Sequence, residues 1–281
     1  MADKISKFIF PVKTGNEIAD KEFDLPSGGD GKVAYCDWLP YYFFEGSAVV
    51  YYDLIHILGG GYDQNDQNEH YEWYDSSWHK VTTLPYNFYE GSAVVYNKEI
   101  HILGSKSSGD ETKHYKWNGS SWVSVSTLPY NFYEGSAVVY NNEIHILGGN
   151  GNRTAHYKWN GTAWSEVSTL PYTFFESPAV VYNNEIHILG VGGQTEAIKH
   201  SKWDGTSWTK VSTLYYELYQ GSAVVLNNEI HALGGLQAPK SHAKFDGTSW
   251  TNIFYIYADD RYIKSNDLVP LSRAEIEAIC T

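Results

Sequence analysis

Short apolar, β-branched runs recur along this chain at a nearly constant interval. Gly-Ser-Ala-Val-Val begins at Gly46, Gly91, Gly135 and Gly221, and Ser177-Pro178-Ala179-Val180-Val181 fills the remaining slot. The intervals of about 45, 44, 42 and 44 residues lie in the range of propeller blades. In the third copy, Ser136 to Tyr140 is a β-branched run, and Asn141-Asn142 tolerates positive φ and suits a two-residue hairpin. Glu143 to Leu147 is a second run, ended by Gly148-Gly149. A variable loop from Asn150 to Ala155 leads to His156-Tyr157-Lys158-Trp159, and Asn160-Gly161 signals another hairpin into a strand opened by Trp164. Leu170-Pro171-Tyr172 then leaves the sheet, because proline cannot continue a central ladder.

Each unit therefore reads as four antiparallel strands, over roughly 46–84, 91–128, 135–170, 177–214 and 221–257. A unit this short cannot bury its own apolar face, so the copies must pack on one another. The expectation is an all-β propeller of five four-stranded blades over 31–257, between an N-terminal segment, 1–30, and a tail, 258–281. Gly31 to Trp38 is strand-like, runs into the same Leu-Pro-Tyr as the blades, and suits an extra outer strand beside the last blade. A sixth, degenerate blade built from the two ends is the alternative.

The run Ser-Ala-Val-Val-Tyr-Asn-Asn-Glu-Ile-His-Ile-Leu-Gly-Gly, a variable loop, an aromatic pair and a downstream Trp together resemble the kelch repeat. That resemblance covers about Trp38 to Tyr257 and implies the propeller fold; kelch propellers serve as enzymes, adaptors and lectin-like binders, so it leaves activity open. The chain departs from the family where Gly104 and Gly190 stand alone instead of paired, and where histidine takes a second-strand position usually held by an aromatic.

The two ends carry a different resemblance. Ile5-Ser6-Lys7, then Glu17-Ile18-Ala19-Asp20, and a tail with Pro270-Leu271 and Ala274-Glu275-Ile276 are similar to segments of tail-associated proteins in phages and prophages of Gram-positive bacteria. Ser272 and Glu275 make a capping box, and Leu271 with Ile276 fits a hydrophobic staple, so a short helix is expected from Arg273 to about Cys280. Its apolar stripe, with Ile276 and Ile279, needs cover. Leu271, Ile276 and Ile279 are the expected assembly residues, and other tail or baseplate proteins the expected partners.

Composition narrows the chemistry. The net charge of −13 disfavours nucleic acid and anionic membrane as partners. Cys36 and Cys280 lack zinc-site spacing and make no disulfide framework. The N-terminus has too short an apolar run for a signal peptide, so Asn118-Gly-Ser, Asn160-Gly-Thr and Asn152-Arg-Thr read as turns. No nucleophile elbow, phosphate loop or metalloprotease motif is present, and the expectation is a non-enzyme without cofactor or metal.

Two histidine series run one per second strand (His56, His101, His145, His187, His231) and one per third strand (His70, His114, His156, His200, His242). Zinc needs ligands about 2.1 Å from one point, so buried, hydrogen-bonded packing between blades is the better account. Third-strand Trp73, Trp117, Trp159 and Trp203 and fourth-strand Trp78, Trp122, Trp164, Trp208 and Trp250 suit the wedge-shaped gaps between blades.

The loop before each first strand is the candidate site. It brings Glu45, Glu90, Glu134, Glu176 and Gln220 to one mouth of the central channel, with Tyr89 and Tyr133 beside them. Such a ring either holds a cation or a hydroxyl-rich ligand, or accepts hydrogen bonds that clip the blades together. The variable second-to-third-strand loops, with Tyr62 among them, open on the same mouth and suit recognition of a sugar or a polar protein surface. The functional expectation is a host-surface-binding component of a phage tail-like particle, made in the bacterial cytoplasm. The alternatives are a free-standing kelch enzyme on sugars, such as a mutarotase, or an intracellular adaptor.

Overall fold

The structure, a computed structural model, describes residues 7–14, 17–24, 38–61, 66–190, 198–253, 255–258 and 261–264. The chain divides into two units, Met1–Trp38 and Leu39–Thr281. In the first, β1 (Lys7–Thr14) and β2 (Glu17–Asp24) form an antiparallel hairpin, Lys7 opposite Asp24 and Thr14 opposite Glu17.

The second unit is all β. Blade 1 is β3 (Ser47–Tyr51), β4 (Leu54–Leu58), β5 (Glu69–Tyr74) and β6 (Ser77–Thr83). Blade 2 is β7 (Ser92–Tyr96), β8 (Glu99–Leu103), β9 (Lys113–Trp117) and β10 (Trp122–Thr127). Blade 3 is β11 (Ser136–Tyr140), β12 (Glu143–Leu147), β13 (Ala155–Trp159) and β14 (Trp164–Thr169). Blade 4 is β15 (Ala179–Tyr182), β16 (Glu185–Leu189), β17 (Lys199–Trp203) and β18 (Trp208–Thr213). Blade 5 is β19 (Ser222–Leu226), β20 (Glu229–Leu233), β21 (His242–Phe245) and a short β22 (Trp250–Asn252). Each sheet has its strands in chain order, so the protein is the five-bladed propeller the repeat demands. After Asn252 the repeat breaks off, and β23 (Tyr255–Ala258) and β24 (Arg261–Lys264) pair as a separate hairpin. No helix occurs among the described residues. Gly31 to Asp37, Tyr62 and the tail with Leu271, Ile276 and Ile279 lie outside them.

Local chemistry sets each blade. The first hairpin needs two left-handed residues, and Asn141 and Asn142 supply φ of 48° and 58°. In the second hairpin Asn160 Oδ1 accepts from the backbone N–H of Thr162 and Ala163, both at 2.9 Å; the sequons at Asn118 and Asn160 are turn formers. The glycine after the second strand is fixed by a close approach. Gly104 has φ of 61°, and a Cβ there would stand 1.8 Å from the Phe132 carbonyl oxygen of the next blade.

The core lies between blades. The downstream face of blade 2, with Val94, Tyr96 and Leu103, meets Ile144, Ile146 and Trp159 on the upstream face of blade 3. The same set recurs between blades 1 and 2, 3 and 4, and 4 and 5. Each fully buried Ile or Leu contributes roughly 1.5–3 kcal/mol, so each interface outweighs the few kcal/mol left to a whole domain after chain entropy. The Leu-Pro-Tyr after the fourth strands of blades 1 and 2 adds a polar fastening: Tyr86 donates to Gly104 O at 3.3 Å and Tyr130 to Gly148 O at 2.8 Å.

Candidate functional site

The loop before each first strand returns to the propeller axis, as the sequence pattern requires. Glu45, Glu90, Glu134, Glu176 and Gln220 all adopt left-handed backbone, with φ of 57°, 54°, 58°, 47° and 57°. For residues other than glycine this costs about 1–3 kcal/mol each. The compensation is a ladder of backbone bonds around the mouth. The N–H of Glu90 donates to Glu45 O at 2.7 Å, that of Glu134 to Glu90 O at 2.7 Å, that of Glu176 to Glu134 O at 2.6 Å, and that of Gln220 to Glu176 O at 2.7 Å. Blades are thus clipped by the backbone of these residues, which leaves the side chains available for other work.

The carboxylates are unequally used. Lys106, from the loop after β8, reaches Glu90 at 2.8 Å and Glu134 at 2.9 Å. Burial pushes the Glu90 carboxyl up to about 7, against the pull of the Lys106 ammonium and helped by the neighbouring Glu45 and Glu134. Gln220 donates to Glu176 Oε1 at 2.9 Å. Hydrogen bonding to Glu176, with burial added, pushes the Tyr219 hydroxyl up to about 12.

Below the ring lies an axial cavity of about 630 Å³, lined by all five blades, with Glu45, Glu90, Glu134, Glu176 and Gln220 at its rim. The size falls in the range of small-molecule sites. Two of its serines are committed to neighbouring blades: Ser92 Oγ donates to Gly135 O at 3.0 Å and Ser136 Oγ to Ser177 O at 2.9 Å. Aromatics flank the rim. Tyr89 and Tyr133 are half-buried, and Tyr133 O accepts from the Asn150 N–H at 2.9 Å. Phe175 stands edge-on to Tyr219 at 6.2 Å and carries the Arg153 guanidinium 3.9 Å above its ring. The variable loops of blades 2 and 3 do open on this mouth, as Lys106 and Asn150 show. The sequence reading marked these loops but missed Lys106 and Arg153 as the cations placed among the rim groups. Their loop positions were the only signal.

The histidines occupy the blade interfaces. Each second-strand histidine is the diagonal cross-strand neighbour of a third-strand one, and the rings meet as dyads: His56–His70 at 2.9 Å, His101–His114 at 2.8 Å, His145–His156 at 2.8 Å, His187–His200 at 2.7 Å and His231–His242 at 2.8 Å. In blades 1 to 3 two tryptophans of the next blade cover the dyad, and in blade 4 Phe245 and Trp250 do; His114 stands edge-on to Trp159 and Trp164 at 5.3 and 5.6 Å. Ser126 ties the layers, bonding His114 Nδ1 at 2.9 Å and accepting from Trp164 Nε1 at 3.0 Å. Burial, and the histidine partner, hold His70, His114, His156 and His200 down to about 3. Burial alone is the leading cause for His101, His145 and His187, lowered to about 4. Among the described residues no three His, Cys, Asp or Glu side chains converge on a metal position.

No family model matches this chain, and no curated protein matches it.

Proposed function

We propose that this propeller is a non-enzymatic, kelch-like binding module of a phage tail or similar particle, made in the bacterial cytoplasm. Its mouth engages a glycan on the host surface, and its terminal segments hold it to the particle. One observation carries the binding reading: a preformed cavity of about 630 Å³ rimmed by carboxylates and flanked by half-buried tyrosines. Sugars bind through apolar faces on aromatic rings and hydroxyls on fixed acceptors, and this rim supplies both without rearrangement. Neutral or amino sugars fit better than polyanions, since the chain carries a net charge of −13. The particle assignment rests on the terminal sequence segments alone.

The test is a pull-down of purified full-length protein on Gram-positive cell-wall polysaccharide, with polyanionic and neutral fractions compared. Retention on the neutral or amino-sugar fraction is expected, weakened at least tenfold by Tyr89→Ala with Tyr133→Ala at an unchanged melting temperature. Equal retention of wild type and variant overturns the mouth assignment.

A further inference from the structure

The loop after β8 departs from its counterparts in blades 1, 3 and 5 at two consecutive positions. Where those carry a second glycine, Gly60, Gly149 and Gly235, blade 2 carries Ser105. The next residue is Lys106, where Gly61, Asn150 and Leu236 stand in the others. Ser105 is fully buried, and its hydroxyl donates to Asn87 O at 2.7 Å and accepts from the N–H groups of Tyr89 and Ser107, both at 3.2 Å. The Lys106 N–H donates to Tyr89 O at 3.0 Å, as the N–H groups of Asn150 and Leu236 do to Tyr133 O and Tyr219 O. The backbone of Lys106 is thus anchored at the mouth, and freedom is left to its flexible four-carbon stem.

The ammonium on that stem crosses from one blade to the next. It stands 2.8 Å from Glu90 and 2.9 Å from Glu134, whose side chains are only 12% and 8% exposed, while the Lys106 side chain is 43% exposed. Hydrogen bonding to Glu90, against burial and with the help of Glu134, holds the ammonium charged well above the usual lysine range. The blades do not need this clasp to join them, because the backbone ladder already runs from Glu45 to Gln220. The other cation of the mouth, Arg153, is taken up by the Phe175 ring and by Asn150. Among the described residues no third carboxylate, histidine or cysteine joins Glu90 and Glu134 on a metal position. The pair therefore suits an ammonium, which needs separate acceptors, better than a metal ion, which needs three or four ligands around one point.

Lys106 also decides what can enter. A neutral or N-acetylated sugar that pushes it aside leaves two buried carboxylates side by side, each without its charge-assisted hydrogen bond. A sugar with a free ammonium replaces what it removes. Given that the mouth is the glycan site, we propose that Lys106 is a built-in competitor for its ligand: the free ammonium of a de-N-acetylated amino sugar exchanges with that of Lys106 between Glu90 and Glu134, which selects such sugars over neutral and N-acetylated ones.

The probes are two disaccharides: glucosamine linked to N-acetylglucosamine, with one free ammonium, and its fully N-acetylated counterpart. Each is titrated calorimetrically into the full-length wild type and into Lys106→Met, which keeps most of the stem and drops the charge, at about 0.15 M salt to screen the acidic surface. The preference for the free-ammonium disaccharide is expected to rise about tenfold or more in Lys106→Met, because the competing cation has gone. Adding Glu90→Gln and Glu134→Gln to that variant is expected to abolish the gain. An unchanged preference, with both disaccharides still bound and still weakened by Tyr89→Ala with Tyr133→Ala, overturns the inference and leaves the mouth a glycan site. A gain that survives the two glutamine substitutions overturns it as well. Binding of neither disaccharide by any of these proteins overturns the glycan reading and the inference together. A second measurement needs only the wild type. The Lys106 ε-methylene NMR signal, identified by its loss in Lys106→Arg, should move on addition of the free-ammonium disaccharide and stay in place with the N-acetylated one; equal movement with both, or none with either, overturns the inference.

Discussion

The buried histidine dyads make the fold acid-labile, and the size of the effect follows from where they sit. Both rings of each covered dyad are neutral in the folded protein because burial penalises the charged form. An unfolded chain accepts the same protons near pH 6.5. The folded state thus binds fewer protons, so its stability is intact above pH 6.5 and falls as the pH drops, until the folded-state values near 3–4 are reached. Take only His70, His114, His156 and His200, which show no exposure and are held near 3. At pH 5 each costs about 2 kcal/mol, and the four together ~8 kcal/mol. That matches the whole stability of an ordinary domain, about 5–15 kcal/mol. Urea unfolding followed by tryptophan fluorescence at pH 7, 6, 5 and 4 should show the midpoint collapsing between pH 6 and 5. His156→Gln, which removes one dyad, should reduce the steepness by about a quarter of the four-histidine effect. A loss below about 2 kcal/mol between pH 7 and 5 refutes the reasoning.

Glu90→Gln with Glu134→Gln keeps the backbone ladder and removes two charges facing Lys106. Because Lys106 is 43% exposed, the melting temperature should move by less than the equivalent of about 1 kcal/mol, while retention on cell-wall polysaccharide falls; a large drop in melting temperature would show that the carboxylates themselves hold the blades. Gly104→Ala should destabilise by about 3 kcal/mol or more, since its left-handed φ and the Phe132 carbonyl leave no room for a Cβ; a loss under about 1 kcal/mol in urea titration contradicts that packing. Trp164→Phe keeps an aromatic ring but removes the indole N–H bond to Ser126 and part of the packing on His114, and thermal unfolding should report a loss of at least about 1 kcal/mol.

The Ala-Val-Val runs, the two-residue turns and the Leu-Pro-Tyr exits made the strands, hairpins and five repeat units legible, because they are local signals that recur along the chain; the sequence left open a sixth blade built from the two ends. The gathering of Glu45, Glu90, Glu134, Glu176 and Gln220 at one mouth was legible for the same reason: equivalent positions on equivalent blades must share an end of the axis. Histidines between blades were legible too, but their pairing was not, since diagonal contact depends on strand register and not on spacing alone. The division of labour at the rim was also hidden. Either reading of the glutamates was open in the sequence; in the structure the N–H groups of these left-handed residues bond from blade to blade, and the carboxylates of Glu90 and Glu134 meet Lys106. Nor does any single repeat reveal that blade 5 ends with an uncovered face. Val224 reads like Val94 and Val138, and only the packing of one blade on the next separates a buried valine from an exposed one.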